Sequence, residues 1–314
     1  MKKSNRSAAP KTNNWVLAAG GWYIFFHCGV AQAAEELGVS IADSGNVLGA
    51  SAGALAATFL KNGYKGKDLV PIFIELRNAR WNPINVAKMY NPAADSISLE
   101  VGGLFRMKPF MDDVVRKYSL VFKPGLRILA CAIETQQQST PPSFHHGHEA
   151  VIFEKPDCDL SFALSASGAV PSLLQPLWYE KDGERKLLVD GGVYHLNPTE
   201  FTNGTAIVSK FSRATQMPPF SEFQTPVDLY LSWREVYYPL FKTDGSVDET
   251  KHVVIETGFP NATKLNAGLS EATCWRMFES GYNTAIPILT KAIADGRIVS
   301  SKKAAARKVK RRGR

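Results

Sequence analysis

Val47-Leu48-Gly49-Ala50-Ser51-Ala52-Gly53-Ala54-Leu55 is a short apolar run, a Gly-x-Ser-x-Gly turn and the start of a helix that continues as Ala56-Ala57-Thr58-Phe59-Leu60. Strand, sharp turn and helix in that order suit one kind of chemistry. A serine hydroxyl is a weak nucleophile and must be held where a base can reach it. An elbow between a strand and a helix lifts the side chain clear of the sheet, and the flanking Gly49 and Gly53 let the chain turn tightly. The helix N-terminus behind the serine favours developing negative charge. Read alone, the stretch also fits an ordinary small-residue turn between a strand and a helix.

Upstream, Trp15-Val16-Leu17-Ala18-Ala19 reads as a buried strand ended by Gly20-Gly21. Phe25 to Leu37 has helical spacing, with Gly38 as its stop. Strand, glycine turn, helix, strand, elbow and helix form a βαβ start, which predicts a mainly parallel sheet covered by helices. Downstream, residues 68–80 read as a helix, and residues 81–109 read as a lid over the site or a surface connection. Pro109 opens a helix through Lys117, Leu126 to Ile133 is a buried strand, and Ala150 to Phe153 is another. Leu160 to Gly168 is a small-residue helix. Trp178-Tyr179 and Leu187-Leu188-Val189 form a hairpin around Asp182-Gly183 that delivers Asp190-Gly191-Gly192. Residues 205–209 and 227–232 read as strands, and the chain from about 233 as mostly helical. In the last helix, Trp275, Met277, Phe278 and Tyr282 recur at helical spacing and read as core rather than as a cofactor site.

Composition bounds the rest. The chain has 314 residues, 45% hydrophobic and 21% charged, enough for one sizeable core. Its net charge of +8 is concentrated at the ends: residues 1–11 carry four cations and residues 301–314 carry eight, with no acid in either. The body then holds 25 cations against 29 anions. Residues 1–13 and 301–314 are therefore expected as basic tails on a single domain spanning 14–300, with its core in 14–210 and a mostly helical part in 233–300. The tails suit an anionic membrane surface or are simply solvated. They lack aromatic residues for base stacking, which disfavours nucleic acid. No apolar run is long enough to span a bilayer, and no apolar core follows the basic N-terminus, so the expected location is cytoplasmic and peripheral to a membrane. Cys28, Cys131, Cys158 and Cys274 are widely spaced and read as free thiols.

A serine nucleophile needs a base. His195 or His252 would complete a Ser-His-Asp triad, but neither has a distinctive context. The run His145-His146-x-His148, with Glu149 beside it, reads as a polar loop rather than a metal site. Asp190 ends a buried strand before two glycines and could accept the serine proton directly; it also fits a plain Asp-Gly turn.

Taken together, Gly49-Ala50-Ser51-Ala52-Gly53, Ala166-Ser167-Gly168-Ala169-Val170-Pro171, Asp190-Gly191-Gly192 and Asn197-Pro198 resemble the patatin-like phospholipase family over residues ~15–200. Gly29-Val30-Ala31 in the first helix also fits. The resemblance implies a three-layer α/β fold with a mainly parallel central sheet flanked by helices. It implies Ser51 as nucleophile and Asp190 as its dyad partner, with Gly191 and Gly192 supporting the aspartate. Gly20, Gly21 and Trp22 fall where the family makes its oxyanion hole. It implies a phospholipase A or lysophospholipase that cleaves phospholipid or other glycerolipid esters through an acyl-enzyme, with no metal or cofactor. One stretch departs: Tyr23 and Ile24 stand where the family has a basic residue and a glycine. Ile24 does not readily take a positive φ, so the loop is expected to follow another path. An impaired loop would leave a lipid- or protein-binding protein, and transfer of the acyl group to another alcohol is a further reading.

Overall fold

The computed structural model describes residues 12–79, 82–83, 90–91, 96–97, 105–133, 148–155, 158–170, 173–211, 246–257 and 269–302. The expected strand at 227–232, most of both basic tails, most of 81–104 and all of 134–147 lie outside these residues.

The alternation of Trp15 and Leu17 with Val16 shows how the sheet works. Strand β1 (Asn14–Leu17) turns Trp15 and Leu17 towards the helices, while Val16 joins a small separate cluster on the other face. The βαβ start follows as expected: helix α1 (Ile24–Glu36), strand β2 (Asn46–Ala50) and helix α2 (Ala52–Lys61). Gly38, at φ 72°, ends α1 as predicted. Helix α3 (Gly66–Asn78) begins two residues earlier than the spacing suggested. Helix α4 (Met107–Lys117) places Pro109 third rather than first, still within the turn where a missing N–H costs nothing. Then come strands β3 (Leu126–Ile133) and β4 (His148–Phe153), helix α5 (Leu160–Ser167), and the hairpin of β5 (Leu177–Lys181) and β6 (Glu184–Asp190). Asp182 and Gly183 take φ of 55° and 81°, the left-handed pair that such a hairpin needs. Strand β7 (Ala206–Phe211) was expected. Strand β8 (Val253–Thr257) was not, since its apolar run Val253-Val254-Ile255 was absorbed into a helical reading. Helix α6 (Glu271–Ala294) follows, capped by the Ser270 hydroxyl, which accepts from Thr273 N–H.

Among the described residues the main sheet has eight strands. Strands β8, β7, β1, β2 and β3 are mutually parallel, and β4, β5 and β6 are antiparallel additions. One continuous core joins Trp15, Val47, Ile128, Leu188, Ile207 and Ile255 to the helices. Met277 and Phe278 of α6 belong to it, so this aromatic stripe is core. Across the sheet, among the described residues, Leu129, Cys131 and Val189 meet short clusters that include Val193 and Tyr194.

Candidate active site

The strand registers place Ser51 and Asp190. Val47 to Ala50 of β2 pair in parallel with Leu126 to Leu129 of β3. Leu187 to Asp190 of β6 pair antiparallel with Ile133 to Ala130 of the same strand. β4 pairs with Ile128 through Ile133 and overlaps both. A strand has two edges, so β4 holds one, and β2 and β6 share the other, end to end. β2 runs up to Ala50 opposite Leu129; β6 runs down to Asp190 opposite Ala130. The two strands stop one rung apart, about 3.3 Å of strand rise, with Ser51 leaving one end and Asp190 at the other.

Ser51 is a half-buried residue with φ 52° and ψ −124°. A side chain rarely adopts that backbone, and the cost is of the order of 1–3 kcal/mol. Its hydroxyl does not cap α2, so it is not spent on the helix it precedes. Its carbonyl accepts from Ala54 and Leu55 N–H, and its N–H donates to Ser167 Oγ at 2.8 Å. Gly53 lets the elbow close on β1: a Cβ there would stand 2.0 Å from the Leu17 carbonyl oxygen.

Asp190 is 3% exposed. Its Oδ1 accepts from Gly192 N–H at 2.6 Å, and its own N–H donates to the Ala169 carbonyl at 3.0 Å. A Cβ on Gly192 would stand 2.1 Å from Ala19 Cβ, so this turn presses on the end of β1. Three loops thus meet: the end of β1, the Ser51 elbow and the Asp190-Gly191-Gly192 turn. Cys131, also close by, is no rival nucleophile, because burial and the charge of Asp190 push its thiol up to about 12.

The loop after β1 follows a path that accommodates Tyr23 and Ile24. Gly20 is extended at φ 176°, and Gly21 alone takes a left-handed φ of 54°. Ile24 is the first residue of α1, with an ordinary helical φ of −48°. Tyr23 is buried against Phe211, ring centroids 4.6 Å apart. Among the described residues, the N–H groups of Gly20, Gly21 and Trp22 donate to no acceptor. They are half-buried. The N–H groups of Ala52 and Gly53, leading α2, likewise donate to none.

The histidines divide clearly. His27 is buried beneath the loop, its Nε2 2.9 Å from the Ala18 carbonyl and its Nδ1 2.7 Å from Ser209 Oγ. Burial lowers its pKa from 6.5 to about 4, so near neutral pH it is uncharged. Nε2–H therefore donates to Ala18, and the Ser209 hydroxyl donates to Nδ1. His252 accepts from Ala206 N–H at the start of β7. That is the end of the parallel sheet opposite Ser51, which removes His252 as a triad partner. His195 Nδ1 meets Glu200 Oε1 at 2.8 Å, and its ring packs on Phe201 and His148. His148 opens β4 and stacks on Tyr194; His145 and His146 lie outside the described residues.

Four supporting residues were missed as such in the sequence. Ser167 and Ala169 lay within a quoted motif but had no assigned role. His27 and Phe211 carried no local signal, since their partners are distant in sequence.

The patatin-like phospholipase family model matches residues 15–202, which contain both Ser51 and Asp190. No curated sequence matches the chain. Among solved structures, VipD from Legionella pneumophila aligns with a TM-score of 0.48 and 15% identity, over 90% of this chain and 68% of that one. The type III effector ExoU aligns at 0.44 and 14%, over 90% and 53%. The ExoU–SpcU complex from the type III secretion system of Pseudomonas aeruginosa aligns at 0.41 and 15%, over 90% and 52%.

Proposed function

The chain belongs to the patatin-like phospholipase family, and from that premise we propose that it is a lipid acyl hydrolase working through a Ser51–Asp190 dyad. The observation that carries this reading is the end-to-end arrival of β2 and β6 on one edge of β3. Ser51 attacks the ester carbonyl, and Asp190 takes the hydroxyl proton. The oxyanion is held by the N–H groups of Gly20, Gly21 and Trp22, with the leading amides of α2 beside them. Asp190 then returns the proton to the leaving alcohol. Water, deprotonated by Asp190, attacks the acyl-enzyme, and Asp190 passes that proton to Ser51 Oγ as the fatty acid leaves. The substrates proposed are phospholipids, lysophospholipids or other glycerolipids, and none of the steps uses a metal or cofactor. Ile24 sits in α1 with an ordinary helical φ, so it puts no strain on the loop; a lipid- or protein-binding protein with an impaired loop is the alternative reading.

The test is labelling with a fluorophosphonate probe and hydrolysis of a short-chain p-nitrophenyl ester by the wild type, Ser51→Ala and Asp190→Asn. The expected outcome is labelling and turnover in the wild type, with both reduced at least about 10³-fold in either variant. A folded wild type that neither labels nor turns over, with or without anionic liposomes, would overturn the reading in favour of a binding protein.

A further inference from the structure

Where β2 and β6 stop short of each other, the edge of β3 is broken, and the backbone groups there need other partners. One short segment supplies them. Ser167, the last residue of α5, accepts from Ser51 N–H at 2.8 Å and donates through the same oxygen to the Leu129 carbonyl at 2.6 Å. Two residues on, the Ala169 carbonyl accepts from Asp190 N–H at 3.0 Å. Ser167 and Ala169 are both fully buried. The segment splints the gap between the two strand ends and touches the backbone of both proposed dyad members.

We propose that Ser167 is a positioning residue for the nucleophile, holding Ser51 in its left-handed conformation and, with the Ala169 carbonyl, fixing its spacing from Asp190. This rests on the dyad reading above. The site needs a group that accepts and donates at once from a short side chain, which a hydroxyl does. The hydroxyl also widens the ladder by one atom, so that Ser51 N–H reaches Leu129 through Ser167 rather than directly. Without it, Ser51 N–H and the Leu129 carbonyl lose their shared partner. The Ser51 backbone is then free to relax to an extended φ, which turns Oγ away from the ester. A displacement of about 1 Å at a reacting atom costs roughly 10²-fold in rate.

The experiment compares wild type, Ser167→Ala, Ser167→Thr and Ser165→Ala. Ser165 is the control: it is equally buried on the same helix, but its hydroxyl donates to the Ser161 carbonyl and not to the elbow. Readouts are kcat and KM on the soluble ester, the fluorophosphonate labelling rate, and Tm. Ser167→Ala is expected to lose about 10²-fold in kcat and labelling rate, with KM within about twofold. Ser165→Ala is expected to lose comparable Tm and keep wild-type kcat, and Ser167→Thr to recover most of the rate. A Ser167→Ala protein with wild-type labelling, or a rate loss shared equally by Ser165→Ala, would overturn the proposal. If Ser167→Ala does not fold, Ser167→Cys keeps the volume with a weaker donor and acceptor; a wild-type rate in that variant overturns it and an intermediate rate supports it. A wild type that neither labels nor turns over removes the dyad reading itself, a result distinct from any of these.

Discussion

Ser51 has a conformation that only its surroundings make tolerable. Its φ of 52° and ψ of −124° suit glycine, yet the proposed chemistry requires a hydroxyl there. Stability and activity should therefore part company at this residue. Ser51→Gly removes the nucleophile but relieves the backbone, whereas Ser51→Ala removes the nucleophile and keeps the strain. Both variants are expected to be inactive, with Ser51→Gly the more stable by about 1 kcal/mol, or roughly 1–3 °C in Tm. Thermal melts of the two, run side by side, check this. Equal melting temperatures would mean that the elbow stores no strain. The serine itself was legible in the sequence because Gly49 and Gly53 mark a turn with no room for side chains. The strain was not legible, because φ at this serine depends on Ser167, which accepts from its N–H, and on the close approach of Leu17 and Ala18 to the neighbouring Gly53, all from other parts of the chain.

Between elements, the junction of β1, β7 and α1 depends on an uncharged imidazole. His27 of α1 joins the Ala18 carbonyl after β1 to the Ser209 hydroxyl of β7, and Phe211 of β7 packs on Tyr23, Phe26 and His27. The loop proposed to hold the oxyanion hangs from this junction. Burial depresses the His27 pKa from 6.5 to about 4. Between those values the unfolded chain binds a proton that the folded chain does not. Stability is thus full above pH 6.5 and falls as pH drops through the window, by up to about 1.4 kcal/mol per unit. His27→Gln should be less stable than wild type at pH 7 but should lose that part of the slope. Urea midpoints from pH 7 to 4.5 for both proteins test it; parallel curves would show that His27 is not the titrating group. Most elements were legible for a local reason: Gly38 ends α1, Asp182-Gly183 turns the hairpin, and the apolar run from Trp15 marks β1. Strand β8 was not, because five residues of strand inside a stretch that reads as helical carry too little periodicity. Tyr23 and Ile24 read in the sequence as a departure from the family's loop. Pairwise sequence reading could not place Phe211, 188 positions later, against Tyr23.

At the scale of the whole molecule, charge and topology act together. Twelve of the chain's cations lie in the two terminal stretches, and the remaining body carries 25 cations against 29 anions. The bases of the two tails are stitched together: Asn13 Nδ2 donates to the Val299 carbonyl at 2.7 Å, and Val299 N–H donates back to Asn13 Oδ1 at 2.9 Å. Ser301 N–H adds a bond to the Gly38 carbonyl at 2.8 Å. Both tails therefore start from one point, beside the first residue of β1. Ser51 follows the last residue of the parallel strand β2, so it sits at the other end of the sheet, about 16 Å of strand away. No helix among the described residues is long and apolar enough to cross a membrane. A basic residue near an anionic surface contributes about 1 kcal/mol at low salt and is screened within about 8 Å at physiological ionic strength. Deleting residues 301–314 removes eight of the twelve cations and leaves the dyad end untouched. The truncated protein should bind phosphatidylserine-containing vesicles at least about tenfold more weakly, with a shallower dependence on salt. Its kcat and KM on a soluble p-nitrophenyl ester should stay within about twofold of wild type. Vesicle co-sedimentation from 50 to 300 mM NaCl, with the ester assay in parallel, separates the two ends of the molecule. Unchanged binding would show that the tails are only solvated, and a matching loss of soluble-ester turnover would show that they support the fold rather than a surface contact.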